Sequence, residues 1–386
     1  MKILSLISAV CLCLLACCSG KPDDGDIPIG GIFDLTGATH ETSVPYADGI
    51  RNYIAYANSQ GGVNGRKIRL VEKDSCYIVP KAKLEYEALV NDENVRAIFG
   101  WGTGETEHLR PFAARDRLPF MAVSLYPNLT VKDAPYNFFI CVPYSDQMKL
   151  VLSYALGRHK PKKTRPRVAF IYNDTEFGRL PIPAGREFAA ANGIDIVAEE
   201  IVSLDAREAK AQLNRIKSAK ADYAVIQETT WAASVILNNA KQLKMTTEFI
   251  GLNWCADEKL IALSGNAAEG FVGAMPFVFT DETLPGISEI MGYNRRSGIH
   301  IEGYILRYVQ GWVTAKVMIE GIRRAGKDLS GPSIRSALES ISEFDTGGVT
   351  APVSFSASSH KGCSKLKLGR VVNGRWKIIT DYLSAD

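Results

Sequence analysis

Gly100-Trp101-Gly102-Thr103-Gly104-Glu105-Thr106 follows a short apolar strand signal, 97–99, and opens a helix signal. A turn of this kind leaves the first backbone N–H groups of the helix, those of Gly104, Glu105 and Thr106, without internal acceptors, and Thr103 is placed to cap them. Unpaired N–H groups at the positive end of a helix favour a carboxylate or another anion. An ordinary capped turn is the competing reading. The glycines do not form a dinucleotide fingerprint, because the third comes one residue early and Glu105 stands in its place. Nor is there a carboxylate for a ribose about twenty residues on, near Leu125.

No other pattern supplies a reaction centre. G-x-S-x-G, H-E-x-x-H and the phosphate-binding G-x-x-x-x-G-K-[ST] are absent, and the five histidines, His40, His108, His159, His300 and His360, are not spaced as metal ligands. The expectation is a protein that binds without catalysing, with no cofactor and no metal. Met1-Lys2 precedes an apolar run that ends in Leu14-Leu15-Ala16-Cys17, followed by a polar stretch through Asp26. The run is too short to span a bilayer and has the charge and cut-site layout of an export signal. It resembles a bacterial lipoprotein signal, which implies cleavage after residue 16, a lipid on Cys17 and a tether over 17–26. Cys18 is not the Asp linked to inner-membrane retention, which leans toward an outer membrane.

Removal of the signal leaves about 370 residues, enough for two domains at roughly 150 each. The chain is 46% hydrophobic and 23% charged with a net charge of +3, so no large field draws it to nucleic acid. The basic run 160–167 holds two prolines and no aromatic residue, as a solvated loop does. Cys18, Cys76, Cys141, Cys255 and Cys363 form no C-x-x-C pair, and their pairing is left open.

The positioning elements alternate. Strand patterns at Ile27–Phe33, 67–72, 97–99 and 119–123 alternate with helix patterns at 45–59, 81–90 and 110–115. After a Pro- and Tyr-rich stretch, 136–144, the rhythm restarts. Strands at 168–172, 194–201, 223–226 and 249–251 then alternate with helices at 185–192, 209–217 and 234–243. Such alternation predicts parallel sheets covered on both faces, hence two α/β lobes. A mostly apolar helix over 304–322 is expected to be buried, and Asn373-Gly374 between two strand patterns predicts a hairpin.

Several segments, in order, resemble the type I periplasmic solute-binding proteins of ABC importers, in the branched-chain amino acid (Leu/Ile/Val) receptor class. They are Ile29-Gly30-Gly31-Ile32-Phe33-Asp34-Leu35-Thr36-Gly37, Asn58-Ser59-Gln60-Gly61-Gly62-Val63-Asn64-Gly65-Arg66 and Val95-Arg96-Ala97-Ile98-Phe99-Gly100. Tyr172-Asn173-Asp174-Thr175-Glu176-Phe177-Gly178, Ala268-Glu269-Gly270 and Gln310-Gly311-Trp312 continue the series. The resemblance implies two doubly wound lobes joined by three crossovers, near Pro143, Pro276 and Gly348. It places lobe 1 at 27–143 and 277–348 and lobe 2 at 144–276 and 349–386.

The resemblance also implies a monomeric, extracytoplasmic receptor that hands its solute to an ABC permease. The alternative is a sensor of the same fold that binds an aromatic or amine-free carboxylate or amide for a signalling partner. By position, Thr103, Gly104, Glu105 and Thr106 would hold a ligand carboxylate, Ser124, Leu125 and Tyr126 would form the next loop, and Thr42 and Trp101 would wall the first lobe. From the second lobe, Phe177, Thr229 and Asn253 would close over the ligand. Relatives that bind an ammonium usually place a carboxylate where Asn253 stands, and an amide gives no charge pairing. Glu105, Glu228 or Asp257 are possible substitutes. Trp101, Tyr126 and Phe177 together would suit a bulky apolar or aromatic ligand, with packing beneath the loop an equal alternative for Trp101 and Tyr126. Cys76 lies on a loop that some relatives bridge to the Thr103 position, and Thr103 rules that bridge out.

Overall fold

The computed structural model describes residues 25–123, 131–160, 164–280, 283–301 and 303–385. Residues 1–16, expected to be an export signal, and Cys17, Cys18, Ser124, Leu125 and Tyr126 lie outside the described residues.

The first half contains β1 (Ile27–Phe33), α1 (His40–Ser59), β2 (Ile68–Asp74), α2 (Val79–Asn91), β3 (Ile98–Gly100), α3 (Thr103–Asp116), β4 (Phe120–Ala122) and β5 (Asn137–Phe138). These strands form one parallel sheet in the order β2-β1-β3-β4-β5. Then come α4 (Tyr144–Arg158), β6 (Arg167–Tyr172), α5 (Glu176–Arg179), α6 (Ile182–Ala191), β7 (Asp195–Ile201) and α7 (Lys210–Ser218). β8 (Tyr223–Gln227), α8 (Thr230–Gln242), β9 (Glu248–Gly251), α9 (Glu258–Ser264) and β10 (Val272–Met275) complete the second alternating run.

α10 (Pro285–Ser297), α11 (Ile305–Ala325) and α12 (Gly331–Glu339) precede β11 (Lys365–Val372), β12 (Arg375–Ile378) and β13 (Leu383–Ser384). The second sheet runs β12-β11-β10-β9-β8-β6-β7, with β13 beside β11. It is parallel from β7 to β10 and turns antiparallel at β11. Both sheets are thus open and doubly wound. The expected hairpin forms, with Asn373 and Gly374 at φ 53° and 68°, as a two-residue turn of matching twist requires.

The differences from the sequence reading lie at element ends and in whole helices it did not predict, α4, α9, α10 and α12. α1 begins five residues before the expected 45, carrying Pro45 inside it, because the chain leaves β1 through a turn tied to Asp34, which accepts N–H bonds from Gly37 and from Thr39 at 2.5 and 2.6 Å. α3 begins at Thr103 and not at 110, so the glycine segment is its first turn. Residue 144 ends a loop in the sequence reading but begins α4.

α11 is buried along most of its length and crosses α1 closely. A Cβ on Gly49 would strike the Tyr308 carbonyl, and one on Gly311 would strike the Tyr46 carbonyl, so each helix needs a glycine at the crossing. Gly311→Ala is therefore expected to destabilise by about 1–3 kcal/mol despite its better helix propensity. Urea unfolding monitored by circular dichroism checks this; an unchanged or raised midpoint would contradict the crossing geometry.

Three stretches link the sheets. Residues 139–143 leave β5, residues 276–279 leave β10, and residues 349–364 lead into β11. They are tied together: Val278 donates to the Val349 carbonyl at 2.7 Å, and Phe139 donates to the His360 carbonyl and accepts from Gly362 in a parallel bridge with Lys361.

Candidate functional site

In an open parallel sheet the crevice lies beyond the carboxyl ends of the strands, where the strand order reverses. Here both sheets have such a point, between β1 and β3 and between β6 and β8. The loops that leave those strands meet around one small cavity of about 30 Å³. Thr39 and Thr42 follow β1, Tyr77 follows β2, Trp101, Gly102 and Thr103 follow β3, and Val123 follows β4. From the other side come Tyr144 at the start of α4, Phe177 after β6, Thr229 after β8 and Trp254 after β9.

The wall is mostly aromatic and its rings are held. Trp101 donates its indole N–H to the Thr39 hydroxyl at 2.8 Å, and that hydroxyl donates to Asp34 at 2.7 Å. Trp254 donates to the Tyr144 hydroxyl at 2.5 Å. Trp101 and Trp254 meet edge to face across the sheets, with centroids 5.2 Å apart, and Tyr144 meets Phe177 in the same manner at 5.5 Å. The Phe177 carbonyl accepts a bond from Gln227 at 2.8 Å, which fixes the short α5 turn. Such rigid rings supply a large apolar contact area at little entropic cost.

Thr42, Trp101, Thr103, Phe177 and Thr229, all expected from the sequence, line the cavity. Gly104, Glu105, Thr106 and Asn253 do not. Gly104 faces Val79 and Glu176, so a Cβ there would sit 3.5 and 3.7 Å from those side chains. Glu105 folds back to accept the Gly102 N–H at 2.8 Å, and burial raises its carboxyl above the usual range. It completes the turn and does not reach ligand space. Thr106 is fully buried in the first turn of α3, its hydroxyl without a partner.

Asn253 begins a short 3₁₀ turn, Asn253–Cys255, and successive residues of such a turn point about 120° apart. Trp254, one residue on, takes the cavity position. The backbone N–H of Asn253 is held by Gln147 at 3.1 Å and its carbonyl by Arg307 at 3.1 Å. Tyr77, Tyr144 and Trp254 were missed by sequence reasoning. The only signal for them was aromatic residues just beyond strand ends, which core packing explains equally well.

Behind Trp254 lies a buried ion pair between elements of the two sheets. Arg307, on α11, reaches Asp257 at 3.1 Å and the carbonyls of Asn253 and Trp254, and stacks 4.5 Å from the Trp254 ring. Asp257 also accepts from Thr230 at 2.5 Å and caps Leu260 of α9 at 3.1 Å. Nearer the rim, Lys259 bonds Glu41 at 2.5 Å and the Tyr304 hydroxyl at 3.1 Å. These contacts hold α9 and the loop after β9 closed against α1 and α11.

Glu258 meets the first turn of α11, accepting the Leu306 N–H at 3.3 Å. Burial first, and the Asp257 charge second, push its carboxyl up to about 7 from an ordinary 4.5. The closed arrangement therefore binds a proton that a solvated Glu258 releases between those values. Its stability should fall by about 1–3 kcal/mol as pH rises through that window. Ligand affinity measured from pH 5 to 8 is expected to decline, and Glu258→Gln to flatten the profile. A profile identical in the variant would contradict this assignment.

Over residues 26–375 the chain matches a family described as periplasmic binding protein. Leu/Ile/Val-binding protein homolog 7 of Brucella melitensis biotype 1 is 22% identical over 356 residues, 87% of this chain and 86% of that relative. Among solved structures, a branched-chain amino acid ABC transporter protein from Thermus thermophilus with bound valine is similar at TM-score 0.87. It is 26% identical, over 93% of this chain and 97% of that one. A fatty acid ABC transporter substrate-binding protein from Thermomonospora curvata shares the fold, with TM-score 0.82 and 20% identity over 94% and 93% of the two chains.

Proposed function

The chain belongs to the periplasmic binding protein family, and from that premise we propose that it is the lipid-anchored receptor of an ABC importer. It captures a small amino-acid-like solute or related carboxylate on the extracytoplasmic side and presents it, as a monomer, to the permease. Family and fold are those of solute-binding receptors, not of enzymes. The observation that carries the reading is the cavity itself: walls from both sheets enclose it, at the strand ends where open α/β sheets bind ligands. The relatives' own ligands, valine in one and a fatty acid in another, are both carboxylates with apolar bodies.

We assign residues 27–143 and 277–348 to the first lobe and 144–276 and 349–386 to the second. Bridges from Phe344 to Val353 and from Phe139 to Lys361 keep 349–361 in touch with the first lobe. Thr103, at the start of α3, would meet the carboxylate. A thermal-shift screen of the protein from Gly20 onward, against amino acids, aromatic and aliphatic carboxylates, and amides, tests this. A bound solute at 100 times its dissociation constant should stabilise by about 2.7 kcal/mol. A screen without any shift would count against the receptor role.

The anchor has its own test. Cys17→Ser is expected to abolish fatty-acyl labelling and leave the signal uncleaved or cut elsewhere. A fully labelled variant would remove the anchor from the account.

A further inference from the structure

We propose that the cavity takes a carboxylate that lacks an ammonium group, a short branched or aryl-bearing monocarboxylic acid and not an α-amino acid. This rests on the receptor reading above and specifies its solute class. Among the described residues the lining contains threonine hydroxyls, with Thr103 at the start of α3, which offer donors to a carboxylate, and no Asp, Glu, Lys or Arg. An α-ammonium enclosed there would lose water and find no counter-charge, a heavy cost.

The buried acids near the cavity each have at least one oxygen bonded away from it. Asp34 accepts from Gly37 and Thr39, Glu105 from Gly102, and Asp257 from Arg307, Thr230 and Leu260. Glu228 is fully buried, bonded by Asn173 at 3.0 Å, and burial pushes its carboxyl well up, so it favours the neutral form. From the 3₁₀ turn after β9 it is Trp254, and not the polar Asn253, that lines the cavity.

Aromatic rings can hold a quaternary ammonium by themselves, by presenting their faces to it. Here one face of Trp254 is already taken, because the Arg307 guanidinium stands 4.5 Å from its centroid. The walls are mostly aromatic, which suits an apolar body.

The test is calorimetric titration of the chain from Gly20 with matched pairs at pH 7. The pairs are 3-methylbutanoate with leucine and 3-phenylpropanoate with phenylalanine, with trimethylglycine and 3-methylbutanamide alongside. At least one amine-free acid should bind about 100-fold or more tightly than its amino partner, and the amide should not bind. Amino acids binding as tightly as their amine-free partners, or tight binding of trimethylglycine, would overturn the inference and leave the receptor reading standing. Binding of none would overturn both.

Thr229→Asp supplies a second arm. Thr229 stands at the N-cap position of α8 and lines the cavity, and Asp is favoured at such a position, so the fold should tolerate the change. The variant should shift the leucine to 3-methylbutanoate ratio toward leucine by at least about tenfold. An unshifted ratio would show that charge pairing at this wall does not set the choice.

Discussion

Arg307→Ala is expected to weaken ligand binding by about 100-fold or more while leaving the ligand-free protein folded. Arg307 belongs to α11, which packs on α1, whereas Asp257 and the carbonyls of Asn253 and Trp254 belong to the loop after β9. Its bonds therefore join the two lobes. Both side chains are nearly inaccessible, at 3% and 5% exposure, so removal of the cation leaves a desolvated carboxylate and two carbonyls short of a donor. Breaking a buried pair in this way costs about 3–5 kcal/mol. In an open form water solvates both groups, so most of the loss falls on closure and hence on affinity. Titration and thermal unfolding together check it. A large fall in ligand-free stability with unchanged affinity would place the pair inside one folding unit instead.

Phe177→Ala should also lower affinity by about 100-fold, with the secondary structure retained. Phe177 is 4% exposed because its ring closes on Tyr144 and the cavity, and it sits on a four-residue helix whose geometry depends on Thr175, Gln227 and the backbone. Removing a large ring from a closed pocket costs roughly 3 kcal/mol or more when the walls cannot collapse. If the variant fails to fold, Phe177 is a core residue and not a ligand wall.

The fold was legible because its signals are periodic and local. Buried strands such as Ile27–Phe33 alternate with helices, and Asn373-Gly374 marks a turn that few residues tolerate. Half of the site was legible for a related reason: Thr103 follows a strand and opens a helix, and Phe177 and Thr229 follow strands in the same way. The rest depends on rotation and distance. Asn253 and Trp254 are neighbours, and only the pitch of a 3₁₀ turn decides which enters the cavity. Glu105 is acidic and well placed along the chain, yet its three-atom reach brings it back onto the Gly102 N–H. Tyr77 and Tyr144 arrive from loops far apart in sequence, and nothing in their local pattern separates a pocket wall from a core.

The central claim is that two lobes close on a small carboxylate solute. Small-angle scattering of the chain from Gly20, alone and with saturating 3-methylbutanoate or leucine, tests it most directly. The account predicts a smaller radius of gyration with at least one of them, and a curve that then matches the closed arrangement described here. A radius unchanged by either, at concentrations where titration shows binding, would contradict closure as the mode of capture.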